Sequence, residues 1–528
     1  MKKILDLFAG TFFVRIYRSW NFHKVLLFCL AIFLIEQRVH AQRPGSTPKD
    51  NGPASLWIKE NFGKGKIPPF SFVYEGKDSR TFIKKWKYTS SSLPSDDTNM
   101  VKYIFTYSDP KTGLQVKCSA TAFKDFNAVE WVMQFINTSG KNTPLLEKAA
   151  VIDQGFSNTL NGPFILHHAK GSNAKRTDFE PMDDELQTGK NVYMSPEGGR
   201  SSDNTAFPFF NIEMPGKQGI MVAVGWTGKW YADIEKTNAR TVSLKSGMER
   251  MQLILYPKEQ IRTPKICLLF WKGEDRMVGH NQFRRFILAH HTRKINGKPA
   301  ELPLSSFLAR EGPRPCVEHT CSTESFAIAE MYRFNQFNIL PEVFWIDAGW
   351  YSRNITDWWK VGNWTPNPKN LPNGFKPITD VAHNLGSKFI LWFEPERFAK
   401  GMDMLPGEKP EWLQKVPDNT SYLFDLGNPE ARLWLTDYIS NFLKQNGVDY
   451  YRQDFNFRPM PFWEKADVPQ RIGISEIRHI EGLYAYWDSL LVRFPNLIID
   501  NCAAGGRRLD LESVSRSSPF WRSDYNYG

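Results

Sequence analysis

The sequence predicts a multidomain β plus α/β protein, an antiparallel β-sandwich followed by a (β/α) barrel. Three observations carry that expectation. Short alternating stretches such as "MVKYIFTYS", "VEWVMQFIN" and "RMQLILYP" recur between about Asn51 and Pro264, with Gly, Asn, Asp and Pro clusters between them. After Pro315 short apolar runs alternate with longer helical patterns, the rhythm of parallel strands joined by right-handed crossovers. Those apolar runs also end on polar, mostly acidic residues, where the active site of a barrel lies.

At 528 residues the chain is long enough for two or more domains, each with its own core. Its 41% apolar and 14% aromatic content is that of a globular protein. The 18 Trp suit clefts that hold flat apolar ligand faces such as sugar rings. In residues 1–41, Lys24 precedes the apolar run "VLLFCLAIFLI" (Val25 to Ile35), which is too short to span a membrane, and Ala41 follows. This pattern predicts a secretory signal cleaved after Ala41, a secreted or periplasmic protein, and no stable membrane insertion once the signal is removed. Loss of that segment lowers the formal net charge from +11 to +7. The remaining Lys and Arg are scattered among acids with no basic block, which argues against a nucleic-acid partner. Of Cys118, Cys267, Cys316, Cys321 and Cys502, the pair Cys316 and Cys321 has local disulfide spacing. With His319 between them, the same two also form a fragment of a metal-ligand pattern, but no second ligand pair lies nearby.

Residues 42–276 are expected to form the sandwich. "MVGHNQFRRFILAHHTRK" (Met277 to Lys294) has helical spacing and, with the Pro-rich loop after it, makes a linker over 277–310. Residues 311–528 are expected to form a partial barrel of about six strands: 342–347, 388–394, 422–426, 449–454, 497–502 and 519–524. No Gly-rich phosphate loop follows the first of these, which disfavours a dinucleotide fold. The six runs end on or beside Asp347, Glu394, Asp425, Asp454, Cys502 and Asp524. A single acid at a strand end is often a helix cap or half of a structural ion pair, and Asp425, just before a turn and a helix start, fits that role best.

There is no Ser nucleophile elbow, no HExxH, and no His at these strand ends. Chemistry built on two carboxylates remains, and glycoside cleavage is its main form: one group protonates the leaving oxygen while the other attacks or activates water. Asp454 and Asp524, 70 residues and about two βα units apart, fit those roles. Arg452 keeps Asp454 ionised. Trp521 is expected to raise the pKa of Asp524, with Arg522 opposing it.

"FWIDAGWY", "FILWFEPERF", "DYYRQDFNF", "IIDNCAAGGRRLD" and "WRSDYN" resemble motifs of glycoside hydrolase family 36, the α-galactosidases and their relatives, and "SPEGGRSSDNTAFPFF" and "VGWTGKW" resemble that family's N-terminal β-sandwich. The resemblance runs from about Ala54 to Gly528. It implies a (β/α)8 barrel and a retaining double displacement without metal or organic cofactor, with Asp454 as nucleophile and Asp524 as acid/base. It also implies galactose contacts from Asp347 and Trp392, a sugar-binding cation at Arg452, and an approach to C2 by Asn456 and Cys502. Ala348, Arg452 and Gln453 depart from the family's aspartate, lysine and tryptophan, so strict galactose specificity is less secure than the reaction type. Gly528 follows Asp524 by four residues, so the chain is expected to be truncated before strands seven and eight and a C-terminal β-domain. The expected function is hydrolysis of terminal α-galactosyl residues from oligo- or polysaccharides. The rivals are an α-N-acetylgalactosaminidase and a non-catalytic sugar-binding fragment, and homo-oligomers stay open.

Overall fold

The computed structural model describes residues 52–93, 95, 97–308, 322–352, 357–402 and 409–525. The signal segment and the Cys316/Cys321 pair lie outside them. The described residues belong to one compact unit.

The N-terminal half is built on two antiparallel sheets, of eight and nine strands among the described residues, one of the eight being Arg471–Ile472 from the C-terminal half. Leu114–Phe123 shows how its alternating sequence is used, since from Leu114 to Ala122 every second side chain is buried and those between are half-buried. Trp131 of the nine-stranded sheet donates its indole N–H to the Val151 carbonyl of the other sheet at 2.7 Å, so this ring is buried with its polar atom paired. The helix Pro53–Phe62 adds Ile58 and Phe62 to this core, and Trp57 stacks on Trp131 at 5.5 Å. The sequence pattern had given this segment no helix.

The helix expected after the sandwich is present as Arg276–Phe286, capped by Asp275, which accepts from the Met277 amide. It continues through a wider turn at Ile287–His291. It lies on the nine-stranded sheet, and at Gly279 a Cβ would come within 2.6 Å of the Trp271 ring, so only glycine allows this approach.

The C-terminal half is organised by one parallel sheet of five strands in chain order: β1 (Ser305–Phe307), β2 (Val343–Ile346), β3 (Lys388–Phe393), β4 (Tyr450–Gln453) and β5 (Ile499–Asn501). Helices α1 (Glu324–Gln336), α2 (Lys376–Asn384), α3 (Pro429–Asn446) and α4 (Ile474–Arg493) lie in the connections. Helix α3 shows how clearly the ends are written: Asn428 caps the first turn, Pro429 opens it, and Gly447 at φ 66° closes it.

This sheet corrects the expected six-strand barrel at three places. First, β1 lies inside the stretch read as linker, because three residues are too few to show a strand pattern. Second, Ser421–Phe424 pairs antiparallel with Arg397–Ala399 and Leu413–Gln414 in a separate three-stranded sheet. Strand β3 pairs directly with β4, which leaves no place for Ser421–Phe424 between them. Asp425 therefore carries no strand-end role, and its carboxylate accepts from the Gly427 amide in the turn before α3. Third, residues 519–524 form no strand. They run beside β5 with a single bridge, Asn501 to Phe520.

The two halves share polar contacts. The Trp226 indole and the Lys229 amide both donate to Oε1 of Glu476 on α4, at 2.8 and 2.7 Å, and the Thr227 amide and hydroxyl both reach the Tyr484 hydroxyl. Burial pushes the Glu476 carboxyl up to about 7, against those two donors. Its proton is held in the fold and released by the unfolded chain between pH about 4.5 and about 7, so this group's stabilisation is present at low pH and lost as pH rises through that window. Glu476→Gln keeps the Oε1 acceptor and removes the titration. Urea unfolding is expected to show the variant at least as stable as the native protein at pH 8, with that advantage gone below pH about 4.5. A variant less stable at pH 8 would contradict this account.

Candidate active site

The sheet register brings the polar side chains together at the C-terminal strand ends. Trp392 of β3, Arg452 of β4 and Asp500 of β5 are cross-strand neighbours in one row. Asp347, Glu394, Asp454 and Cys502 follow immediately after β2, β3, β4 and β5.

Asp454 sits at the centre and is buried. Its Oδ1 accepts from the amides of Phe455 and Ala504 at 2.7 and 3.0 Å, and its Oδ2 from Asn456 Nδ2 and Trp392 Nε1 at 2.7 and 3.1 Å. Four donors on two oxygens fit an anion. Burial works to raise this carboxyl, but the Arg452 charge, the Ala504 amide and the Asn456 and Cys502 side chains override it and hold it below the usual carboxylate range.

Arg452 is held on several sides. Its Nη1 donates to Asp500 Oδ1 at 2.6 Å, and its Nε lies 3.6 Å from Asp347 Oδ2. Its guanidinium carbon lies 5.0 Å from the Trp345 ring centre and 5.1 Å from that of Trp521. Burial lifts Asp347 to about 6 against the Arg452 charge. Asn456 is aimed by Glu394, whose Oε1 accepts the Asn456 amide at 2.7 Å while both its oxygens take Arg397.

Asp524 is reached by the loop after β5. At Gly505, with φ 82°, a Cβ would meet the Asp524 amide nitrogen at 3.0 Å, and at Gly506 one would meet the Arg522 carbonyl at 2.3 Å. The two glycines let the segments pack. Burial and the Asp454 charge raise the Asp524 carboxyl, while Trp521 Nε1, donating at 2.9 Å, works against them. The shift has the expected direction but another cause: Trp521 donates to Asp524 and lowers its pKa. Arg522, expected to oppose the rise, lies against the Phe179 ring instead, 5.7 Å from its centre.

All seven sequence-selected residues, Asp347, Trp392, Arg452, Asn456, Cys502, Asp454 and Asp524, therefore lie at one end of the sheet. Asp500, Trp345 and the Ala504 amide belong with them and were not selected. Asp500, two residues before Cys502 in "IIDNC", was the one sequence signal for them. The sandwich contributes as well: Arg200 donates to the Phe455 carbonyl at 3.0 Å, next to Asp454.

Two family models match in chain order: the glycosyl hydrolase family 36 N-terminal domain over residues 56–254, and Melibiase over residues 334–527. The chain belongs to glycoside hydrolase family 36. Among the relatives, α-galactosidase Mel36A of Lactobacillus acidophilus is 22% identical over 458 residues, covering 82% of this chain and 58% of that protein. α-Galactosidase AgaA of Geobacillus stearothermophilus is 24% identical over 431 residues, covering 79% and 56%. The crystal structure of AgaA superimposes with a TM-score of 0.72 at 20% identity, over 87% of this chain and 65% of that one, a likeness of fold. The chain thus spans less than two thirds of the length of these proteins.

Proposed function

We propose that this protein is a retaining α-galactosidase that removes terminal α-galactosyl residues from oligo- or polysaccharides. The observation that carries this is a pair of carboxyls at one sheet end, shifted in opposite directions: Asp454 held ionised, Asp524 raised toward a proton donor. The relatives' names support the substrate, as do the titles of AgaA structures in complex with stachyose and with raffinose.

Asp454 Oδ attacks the anomeric carbon as Asp524 gives its proton to the departing glycosidic oxygen. Water, deprotonated by Asp524, then releases the sugar with net retention. Asn456 and the Ala504 amide hold the attacking carboxylate in one orientation. Asp347, Trp392 and Arg452 bind the galactosyl ring, and Cys502 lies near C2. The five parallel strands are five of the eight of a (β/α)8 barrel, residues 42–276 make the sandwich domain, and the signal at 1–41 directs the protein to the periplasm or the medium.

A panel of nitrophenyl α-glycosides and raffinose, run on the full-length protein, tests this. Turnover of the α-galactoside and release of galactose from raffinose are expected. Turnover of the N-acetyl sugar alone, or of nothing in the panel, would overturn it.

A further inference from the structure

The residues on either side of Asp524 help to line a cavity of about 440 Å3 between the two halves of the molecule. Trp521, Arg522, Ser523 and Tyr525 form one wall, and a sandwich loop supplies Lys175, Arg176 and Asp178 opposite. Asp178 lines the cavity as an anion and offsets part of the positive charge, but its oxygens are engaged by neutral donors and it forms no ion pair with the three cations among the described residues. Oδ2 accepts from Ser172 Oγ and Ser523 Oγ at 2.7 and 2.6 Å, and Oδ1 from the amides of Asn173 and Lys175. It acts as a brace that ties the sandwich loop to the Asp524 segment. Lys175, Arg176 and Arg522 are exposed, and among the described residues none of the three is paired with a carboxylate. Arg522 only lies against the Phe179 ring, which leaves its N–H groups free to donate.

With three cations against the one carboxylate of Asp178, the concavity keeps an excess of positive charge, and a bound anion relieves it. We infer that this cavity is a subsite for an anionic aglycone, a sugar carrying a sulfate ester or a uronate next to the α-galactosyl end. The inference rests on Asp524 as the acid: the acid protonates the leaving oxygen, and its chain neighbours Ser523 and Tyr525, though not Asp524 itself, line this cavity. Trp521 and Tyr525 supply faces for the sugar ring, and Lys175, Arg176 and Arg522 supply donors for its charge.

The test uses the full-length protein and three matched α-galactosyl disaccharides, with a neutral, a sulfated and a uronic acid acceptor. The ratio of kcat/KM for the better acidic substrate to that for the neutral one is expected to exceed one, by on the order of 10-fold. It should fall with added salt and toward one in the double variant Lys175→Ser, Arg176→Ser. The acid that gives the larger ratio identifies the group bound. A ratio at or below one, or one unmoved by the substitutions, overturns the subsite. If no substrate turns over, the catalytic reading fails instead, and calorimetric titration with the acidic disaccharides decides the subsite alone. Binding that weakens in the double variant supports it. Binding equal in both proteins, or absent from the native one, refutes it.

Discussion

Asp454→Ala is expected to lower turnover of α-galactosides by on the order of 10^4-fold or more, the scale of losing a covalent nucleophile. Added azide should restore part of the rate by entering the vacated space and attacking the anomeric carbon from the same face. The product would be β-galactosyl azide, with inverted configuration, visible by NMR. Azide also separates chemistry from misfolding. The substitution leaves the Phe455 and Ala504 amides, Trp392 Nε1 and Asn456 Nδ2 without their acceptor, and each buried orphan costs about 1–3 kcal/mol unless water takes its place. A misfolded variant gives no azide product, whereas a folded one without its nucleophile does. An unaffected native rate would remove Asp454 from the mechanism.

Asp524→Asn should act according to the leaving group. On raffinose, whose leaving oxygen needs a proton, kcat/KM is expected to fall by about 10^2- to 10^4-fold, and on a dinitrophenyl galactoside by far less. The pH profile gives the second signature. Asp524 must be protonated to act as acid, so native activity is lost as pH rises through its raised pKa, and the variant should lack that alkaline limb. The acidic limb, set by protonation of Asp454 below the usual carboxylate range, should remain. The Asp454 charge also helps to raise Asp524 and disappears once Asp454 is esterified. The Asp524 pKa then falls and the same group becomes a base for the second step. Equal losses on both leaving groups would exclude Asp524 as the acid.

Strand ends were legible because a barrel strand is short and apolar and its polar stop is abrupt. Asp347, Glu394 and Asp454 were found in that way. The same logic misplaced Ser421–Phe424, since an apolar tetrapeptide does not say which partner it will take, and Arg397–Ala399 lies close enough to claim it. It missed Ser305–Phe307 because three residues carry no period. It treated 519–524 as a strand because "PFW" has strand composition, although the segment touches β5 at a single bridge.

The sequence alone determined the order of a β-rich half and an α/β half, the family, and the strand-end places of Asp347, Glu394 and Asp454, because periodicity and motif order are properties of the chain. The tertiary structure decided how each of those carboxylates titrates. Arg452 lies one strand from Asp500 and between two Trp rings from distant segments, and Asp454 takes its fourth donor from Ala504, fifty residues away. Charge, burial and hydrogen bonds act through space over a few ångströms, and only the packed sheet and its loops bring those groups within that range.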